Sequence, residues 1–199
     1  MGYPGPDVDA ELIIMCARMW HALGLSRLVL ELNSLGSREN RQKYRKALVN
    51  YFSAVKSKLD EDSIRRLEQN PLRILDSKNP DMRDVIADAP IMLDFLDDES
   101  DRHFAELKTL LDAAGIGYNV NPKLVRGLDY YNGMTFEIIS DNIGSQNALC
   151  GGGRYDSLVQ YLGGKPTPAV GFAAGLERLI LILKEEQEQL LNNISKVFK

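Results

Sequence analysis

The sequence contains few of the residues that bind metals or form disulfides. It has two cysteines, Cys16 and Cys150, two histidines, His21 and His103, and one tryptophan. The cysteines lie far apart and form no CxxC pair, which argues against a disulfide-rich fold and against a zinc site. Since the two histidines are also isolated, the sequence predicts no metal site built from protein side chains alone.

Long apolar segments are missing as well. No stretch approaches the about eighteen consecutive apolar residues of a transmembrane helix, and the first residues do not have the pattern of a secretory signal. The sequence therefore predicts a protein without a membrane span, located in the reducing cytoplasm.

Positive charge is not in excess overall, because the net charge is −4 at pH 7. The local balance differs: residues 38–73 contain ten Lys and Arg against five Asp and Glu, whereas residues 74–117 contain four against eleven. A basic segment of this kind fits a helical face that binds a polyanion. It also fits an ordinary solvated helical surface, which from charge alone is the more common case.

The 199 residues, 44% of them hydrophobic, suffice for one domain or for one domain with an insertion. In the first part, apolar residues from Ala10 to Leu23 recur at helical spacing, and residues 28–32 have the pattern of a short strand. Asp7 or Asp9 is the candidate N-cap of the first helix.

Residues 38 to about 117 differ in character, because they are charged, helix-forming and interrupted by prolines. The pattern predicts helices over 38–58, 61–69, 81–88 and 98–114. A helical block between two strand-rich stretches is typical of an inserted module. We therefore expect three parts with the bounds 1–36, 37–117 and 118–199.

From residue 118 onwards the pattern predicts strands and a final long helix. The expected strands are 134–140, 146–150 and 169–173, and the expected helices are 156–162 and 176–191. The last helix contains the apolar run Leu179–Leu183 and is therefore expected to be buried. The glycines at 151–153 permit unusual backbone conformations and the close approach of a ligand.

The segment KLVRGLDYYNGMTF, residues 123–136, contains the first candidate functional residues. Arg126 offers a fork of donors that suits a phosphate or carboxylate, although it can equally pair with Asp129. Tyr130 and Tyr131 each combine apolar area with a hydroxyl that donates or accepts. On an extended backbone their side chains point to opposite sides, so one at most faces a given pocket unless the chain turns. Two half-buried core tyrosines are the more common alternative.

The segment GGGRYD begins at Gly151 and supplies a second candidate. Three glycines before a helix are similar to a phosphate-binding turn, but neither GxxxxGK[ST] nor GxGxxG is present. The run fits equally a tight floor under a small ligand, with Tyr155 supplying a hydroxyl.

A third candidate is GFAAGLER, in which Gly171 and Gly175 surround a strand-to-helix turn. The N-terminus of a helix favours an anion, and Arg178 in the first turn adds a full positive charge there. The alternative is a structural arginine that pairs with Glu177 or Glu185.

These segments resemble histidyl-tRNA synthetase of the bacterial type. LVRGLDYYNGMTFE matches the histidine-specific motif nearly residue for residue, and AGLERL matches class II motif 3. With GPDVDAEL, LELNSLGS, NPLRILDSKNP and CGGGRYDSLVQYLGG, the resemblance extends from about Gly5 to Leu183. It implies an α+β fold: part of the class II synthetase catalytic fold, an antiparallel sheet flanked by helices, with a helical insertion domain.

The resemblance also implies roles for individual residues. Arg126 is expected to be the catalytic arginine, which contacts the α-phosphate of ATP. The expected ATP-binding residues are Arg126, Arg178 and Glu137. The expected histidine-binding residues are Tyr130, Tyr131, Tyr155, Gly152 and Gly153.

The reaction implied by the resemblance has two steps. The histidine carboxylate attacks the α-phosphate of ATP and pyrophosphate leaves; the histidyl group then passes to the terminal ribose of tRNA(His). Arginines and substrate-associated Mg²⁺ contribute most to such a displacement. The implied partners are histidine, ATP and the tRNA(His) acceptor stem, which the insertion domain approaches, so that the basic residues 38–73 are expected to face RNA. The family is homodimeric.

Other parts of the family pattern are not found in the 199 residues, namely class II motif 1, motif 2 and the anticodon-binding domain. We therefore expect a synthetase fragment that is inactive by itself and has an incomplete sheet with an exposed edge. The alternative is a non-catalytic, synthetase-like module that binds tRNA or regulates an enzyme, as the regulatory subunit of ATP phosphoribosyltransferase does. Such modules usually degrade the histidine-specific motif or motif 3, whereas Arg126, Tyr130, Tyr131 and Arg178 are all in place here.

Overall fold

The computed structural model describes residues 1–25, 27–125, 130–140 and 148–197, with side chains up to residue 188. The helices in these ranges are α1 (Pro6–Ala22), α2 (Arg38–Ala54), α3 (Glu61–Gln69), α4 (Arg83–Ala87), α5 (Asp98–Ala113), α6 (Leu158–Tyr161) and α7 (Leu176–Val197). The strands are β1 (Leu28–Ser34), β2 (Asn119–Val120), β3 (Asn132–Ser140), β4 (Ala148–Arg154) and β5 (Val170–Ala174). Short 3-10 helices cover Lys56–Lys58, Pro71–Ile74, Pro80–Met82 and Met92–Phe95.

The described strands form one sheet in the order β2-β1-β3-β4-β5. The neighbours from β1 to β5 pair antiparallel, and the two-residue strand β2 pairs parallel with β1. Strand β5 lies at one edge and ends in the exposed residues Ala173 and Ala174. The predicted α+β class, a largely antiparallel sheet flanked by helices, is confirmed.

The main core lies on one face of this sheet, under α1 and α5. Side chains alternate along a strand, so the even-numbered residues Met134, Phe136 and Ile138 of β3 all point into this core. The helices contribute apolar stripes at helical spacing, which consist of Ile13, Cys16 and Trp20 on α1 and of Phe104, Leu107 and Leu111 on α5. Helix α5 therefore packs on the sheet, although it lies within the predicted helical block 37–117.

The helical block has a second core of its own. Helix α2 supplies Tyr44, Leu48 and Phe52, four residues apart and almost fully buried. Ser37 caps this helix, because its hydroxyl accepts from the Asn40 amide at 3.2 Å while the Asn40 side chain accepts from the Ser37 amide at 2.9 Å. The block is thus an ordered helical unit rather than a set of connecting loops.

Helix α7 is less buried than its sequence indicates. Leu176, Ile180 and Leu181 are 64%, 45% and 59% exposed, whereas Ile182 is 1% exposed. Five consecutive apolar residues are spread around the whole circumference of a helix, but only one side of α7 faces the sheet. The prediction that this helix is buried is therefore correct for the side that carries Leu179, Ile182 and Leu183, which pack on the main core, and wrong for the side that carries Ile180 and Leu181. No helix in the described ranges is long and apolar enough to cross a membrane.

The three consecutive glycines lie within β4 and not in a turn. A Cβ atom on Gly152 would overlap the carbonyl oxygen of Gly171 on β5 and would lie 2.8 Å from the Phe136 ring. Glycine is therefore required here for close packing between neighbouring strands, on the face that points into the core.

We expect Gly152→Ala to lower the free energy of unfolding by about 1–3 kcal/mol, because the added methyl group displaces a backbone carbonyl or a core ring. Gly117→Ala is the matched control, since a Cβ at Gly117 meets no atom within 4 Å. Urea unfolding of both variants measures the difference. A similar loss of stability in both variants would show that close strand packing is not the reason for this glycine.

Candidate functional site

The face of the sheet opposite the main core contains polar residues. Thr135 and Glu137 of β3 point to this side because they alternate with the buried even-numbered residues. Their partners on β1 are Asn33 and Glu31, and paired residues of antiparallel strands share a face. This polar face, defined by these four residues, includes the predicted site residue Glu137, and Gly153 pairs with Thr135 beside it.

Three tyrosines cluster at the end of this face, where β3 begins and β4 ends. The ring centroids of Tyr130 and Tyr131 are 4.7 Å apart, and those of Tyr130 and Tyr155 are 5.9 Å apart. The ring centroids of Tyr131 and Tyr155 are 6.3 Å apart, and the two rings are nearly perpendicular. Tyr130 lies in a turn ahead of β3, and Gly133 has φ +63°. Because the chain turns here, the two adjacent tyrosines meet and do not diverge as on an extended strand.

Glycines form the floor under these rings. A Cβ on Gly153 would lie 3.1 Å from the Tyr131 ring and 2.6 Å from the carbonyl oxygen of Met134. A Cβ on Gly171 would overlap the Tyr155 hydroxyl. Gly153 therefore belongs to the tyrosine cluster, whereas the neighbouring Gly152 faces the core. The role of both glycines in histidine binding stays a prediction.

A polar network fixes the backbone around Tyr155. The Asp156 amide donates to the Asn132 side chain at 2.8 Å, and the Asp156 carboxylate accepts from the Ala169 amide at 2.8 Å. The Tyr155 amide itself donates to the Ala169 carbonyl at 2.8 Å. These bonds connect β3, β4 and the segment before β5, so the tyrosine side chains are positioned by the sheet.

A buried ion cluster lies behind this network, and sequence analysis missed it. Arg154 Nε is 2.8 Å from Asp9 Oδ1, and the two side chains are 2% and 0% exposed. His103 Nε2 lies 2.6 Å from Asp9 Oδ2, and Arg154 also donates to the Gly5 carbonyl at 2.7 Å. Asp9 is thus not a helix cap and His103 is not isolated. Gly5 is the N-cap of α1, without a side-chain cap hydrogen bond.

The segment that leads to the predicted catalytic arginine is anchored on β1. Asn33 donates to the Leu124 carbonyl at 3.0 Å, and Asn121 donates to Glu31 at 2.7 Å. These polar side chains of the sheet thereby determine the course of the chain as far as residue 125. Arg126 lies outside the described residues, so its predicted role stays a prediction.

Two of the three predicted ATP-binding residues line a common cleft of about 630 Å³, between the sheet and the helical block. Arg178, in the first turn of α7, donates to the Ala148 carbonyl at 2.7 Å, and Glu137 lies in the same cleft. The arginine is thus held on β4 through its guanidinium group. Its predicted contact with ATP is not tested by this geometry.

The helical side of this cleft carries charges of both signs. The lining side chains are Arg66, Lys78, Asp60, Asp62 and Asp76. Hydrogen bonds from Ser63 and Asn79 hold the pKa of Asp60 below its usual range, so this carboxylate is ionised at neutral pH. In the described ranges no group of three or more His, Cys, Asp or Glu side chains is arranged to hold a metal ion. The charges of both signs in the cleft suit a polar ligand.

Comparison with known proteins identifies relatives of this chain. The family model of histidyl-tRNA synthetase matches residues 1–179. The structure is similar to apo histidyl-tRNA synthetase of S. aureus, with 39% sequence identity and a TM-score of 0.73 over 94% of this chain. The match covers 45% of the S. aureus chain, so the present chain spans less than half the length of that protein.

Two more distant structures share the fold. One is an ATP phosphoribosyltransferase regulatory subunit/histidyl-tRNA synthetase from Bacillus halodurans, with 22% identity and a TM-score of 0.60 over 92% of this chain and 51% of that chain. The other is a histidine–tRNA ligase subunit from Alicyclobacillus acidocaldarius, with 21% identity and a TM-score of 0.58. That match covers 93% of this chain and 62% of the A. acidocaldarius chain. Because the family model matches most of the sequence and the S. aureus enzyme is 39% identical over nearly all of it, this chain belongs to the histidyl-tRNA synthetase family.

Proposed function

We propose that this chain forms part of a histidine–tRNA ligase, which activates histidine with ATP and transfers it to tRNA(His). The observation that carries the proposal is the cluster of three tyrosines on a glycine floor, on the same face of the sheet as Glu137. Glu137 lies two residues beyond Thr135, about 7 Å along β3, and Thr135 pairs with Gly153 under the Tyr131 ring. The tyrosine cluster, as the proposed histidine pocket, and the cleft lined by Glu137 and Arg178, as the proposed ATP site, are then adjacent.

The tyrosine cluster suits histidine as a ligand. An imidazole ring packs well on aromatic faces, and its two nitrogens require a donor and an acceptor. Tyr130, Tyr131 and Tyr155 together supply three rings and three hydroxyls within a small volume. Because a tyrosine hydroxyl both donates and accepts, the cluster can satisfy either ring nitrogen of a neutral histidine.

The neighbouring cleft suits ATP with Mg²⁺. Arg178, Arg66 and Lys78 are cations that match phosphate oxygens, and Glu137 is a carboxylate of the kind that Mg²⁺ binds. Mg²⁺ bound to the phosphates would neutralise part of their charge. Together with Arg126, these side chains would orient the α-phosphate toward the histidine carboxylate and stabilise the charge that develops there.

The tRNA contact is proposed for the helical block. In residues 38–73, Lys and Arg outnumber Asp and Glu. This excess of positive charge supports binding of the acceptor stem by this part of the chain. As in the family, the complete enzyme is proposed to be a homodimer of the cytoplasm. We further propose that the 199-residue polypeptide alone is inactive, because the ATP-gripping arginine of motif 2 is not found within it.

The alternative is a non-catalytic module of the regulatory-subunit type. The B. halodurans protein whose name includes that function is 22% identical, a level that shows the fold alone. The S. aureus synthetase is 39% identical, and the chain retains Tyr130, Tyr131 and Arg178. The balance therefore favours the synthetase.

Histidine-dependent exchange of pyrophosphate into ATP tests the proposal. A hybrid synthetase, in which this chain replaces the matching segment of the S. aureus enzyme, is expected to catalyse exchange with histidine and with no other amino acid. The isolated 199-residue chain is expected to show none. A hybrid that is folded by circular dichroism but inactive would contradict the ligase proposal and favour the non-catalytic alternative. Exchange by the isolated chain would show that these residues hold a complete active site.

A further inference from the structure

The two cysteines of the chain, Cys16 and Cys150, meet in the main core. Their side chains are 0% and 3% exposed, and both are free thiols. The two thiols form a hydrogen bond with each other. Because the sequence contains no third cysteine, a disulfide within one molecule can only join this pair.

The contact between the thiols follows from the way in which α1 crosses β4. Cys150 pairs with the core residue Ile138, so it points into the main core, and Arg154 lies on the same side because it is four residues further along the strand. On α1, Asp9 contacts Arg154 and Cys16 contacts Cys150. Seven residues of helix span about 10 Å, and four residues of strand span about 13 Å. Helix α1 therefore runs antiparallel to β4 and is attached to it at two points with similar spacing.

The two thiols are not equivalent in reactivity. The hydrogen bond from Cys150 lowers the pKa of the Cys16 thiol, although burial acts in the opposite direction. The thiolate is the form of cysteine that attacks oxidants. Cys16 is therefore the thiol that reacts first, and Cys150 is in contact with it to react with the product. Two cysteines are bridged without backbone movement only where their side chains already meet, and this pair fulfils that condition.

We propose that Cys16 and Cys150 form a redox modification site, which a peroxide converts to a reversible disulfide. The Cys16 thiolate attacks one oxygen of hydrogen peroxide and the O–O bond breaks. The second oxygen takes the proton of the thiol and leaves as water, so that Cys16 becomes a sulfenic acid. The Cys150 sulfur then attacks the Cys16 sulfur, the S–O bond breaks, and the hydroxyl group leaves as water with the Cys150 proton. Two thiols thereby lose two electrons, and the peroxide is reduced to two molecules of water.

The disulfide protects the core from irreversible oxidation. A sulfenic acid that meets no second thiol is oxidised further to sulfinic and sulfonic acids, which thiols do not reduce. Such an acid is charged, and a charge at Cys16 would be costly because this side chain shares the apolar core with Ile13 and Trp20. The disulfide adds no charge and joins α1 to β4 where they already touch. In the reducing compartment proposed for this protein the bond is transient, so the reduced pair is the resting form.

Alkylation of free thiols, measured by intact mass, tests the inference. The reduced 199-residue chain is exposed to hydrogen peroxide under native conditions, catalase removes the peroxide, and the chain is unfolded in urea with iodoacetamide. We expect the oxidised chain to be monomeric and to take up no alkyl group, and we expect dithiothreitol to restore both alkylation sites. Circular dichroism should be unchanged by oxidation. The midpoint of urea unfolding should rise by about 1 M or more, since a bond that closes a long loop restricts the unfolded chain.

Two single variants separate the roles of the thiols. Cys150→Ser keeps the first thiol but removes its partner, so peroxide should add oxygen atoms to Cys16 and lower the urea midpoint. Cys16→Ser is the matched variant, and we expect its rate of oxygen addition to be at least about threefold lower. Equal rates in both variants would contradict the assignment of Cys16 as the thiol that reacts first.

Four results would overturn the inference for the unmodified chain. Two thiols that stay alkylatable after peroxide treatment would show that the pair is closed to oxidants. Added oxygen without a disulfide would show that the thiols are not placed for a bond, and linked dimers would show a reaction between molecules. A disulfide that forms with loss of the circular dichroism signal would come from the unfolded chain. These assays contain no histidine, ATP or RNA, so their outcome is independent of the ligase proposal.

Discussion

We expect Arg154→Ala to lower the free energy of unfolding by about 3–5 kcal/mol, because it removes one partner of a buried ion pair. Asp9 is fully buried, and Arg154 is the cation that lies against it at 2.8 Å. Among the described residues, removal of the guanidinium leaves His103 as the remaining side-chain partner of the buried carboxylate, and it also leaves the Gly5 carbonyl without this donor. Urea unfolding followed by circular dichroism measures the loss.

Arg65→Ala is the control, because Arg65 forms an exposed ion pair with Asp62 and is expected to contribute less than about 1 kcal/mol. The double variant Asp9→Leu/Arg154→Met distinguishes the effect of an unpaired buried charge from the effect of lost side-chain packing. Replacement of both charges by apolar side chains removes the uncompensated carboxylate, so it should recover part of the stability lost in Arg154→Ala. If Arg154→Ala changes stability by less than about 1 kcal/mol, the cluster is hydrated and does not hold α1 on the sheet.

Elements whose apolar periodicity agrees with their packing were predicted well. Helices α2, α3 and α5 begin where expected, at residues 38, 61 and 98, because Ser37, Asp60 and Asp97 supply a cap at each start. The apolar run Leu179–Leu183 predicted more burial of α7 than the structure shows, because these residues surround the helix while only one side packs on the sheet. Burial depends on what lies opposite a helix, and a sequence pattern alone does not contain that information.

The motif resemblance identifies the candidate site residues, whereas the fold determines how they are arranged in space. A sequence pattern shows that Tyr130 and Tyr131 are adjacent, but the turn before β3 brings both rings onto Tyr155. The contact between Asp9 and Arg154 joins residues that are 145 positions apart. Cys16 and Cys150 are similarly distant, and they are free thiols that hydrogen-bond in the core. Contacts of this kind depend on strand register, which local sequence does not specify.

The second large effect is expected for Arg178, the motif 3 arginine that lines the cleft with Glu137. In the hybrid synthetase, Arg178→Ala should lower kcat/KM for ATP in pyrophosphate exchange by about 10²–10³-fold, because a preorganised charge near the phosphates is lost. Arg178→Lys keeps the charge but loses the planar fork, so we expect an intermediate value. Lys184→Ala removes an exposed charge two turns further along α7 and should change kcat/KM less than about threefold.

A structural role for Arg178 predicts a different pattern of results. Its hydrogen bond to the Ala148 carbonyl holds the start of α7 on β4, and loss of one such bond destabilises the fold by about 1 kcal/mol. If that bond is its whole contribution, Arg178→Ala should reduce thermal stability while the correctly folded fraction keeps the KM for ATP of the parent hybrid. A raised KM for ATP or a lowered kcat at a temperature where the variant is fully folded would instead assign the arginine to the nucleotide. Unchanged kinetics in the folded variant would contradict the expected contact with ATP.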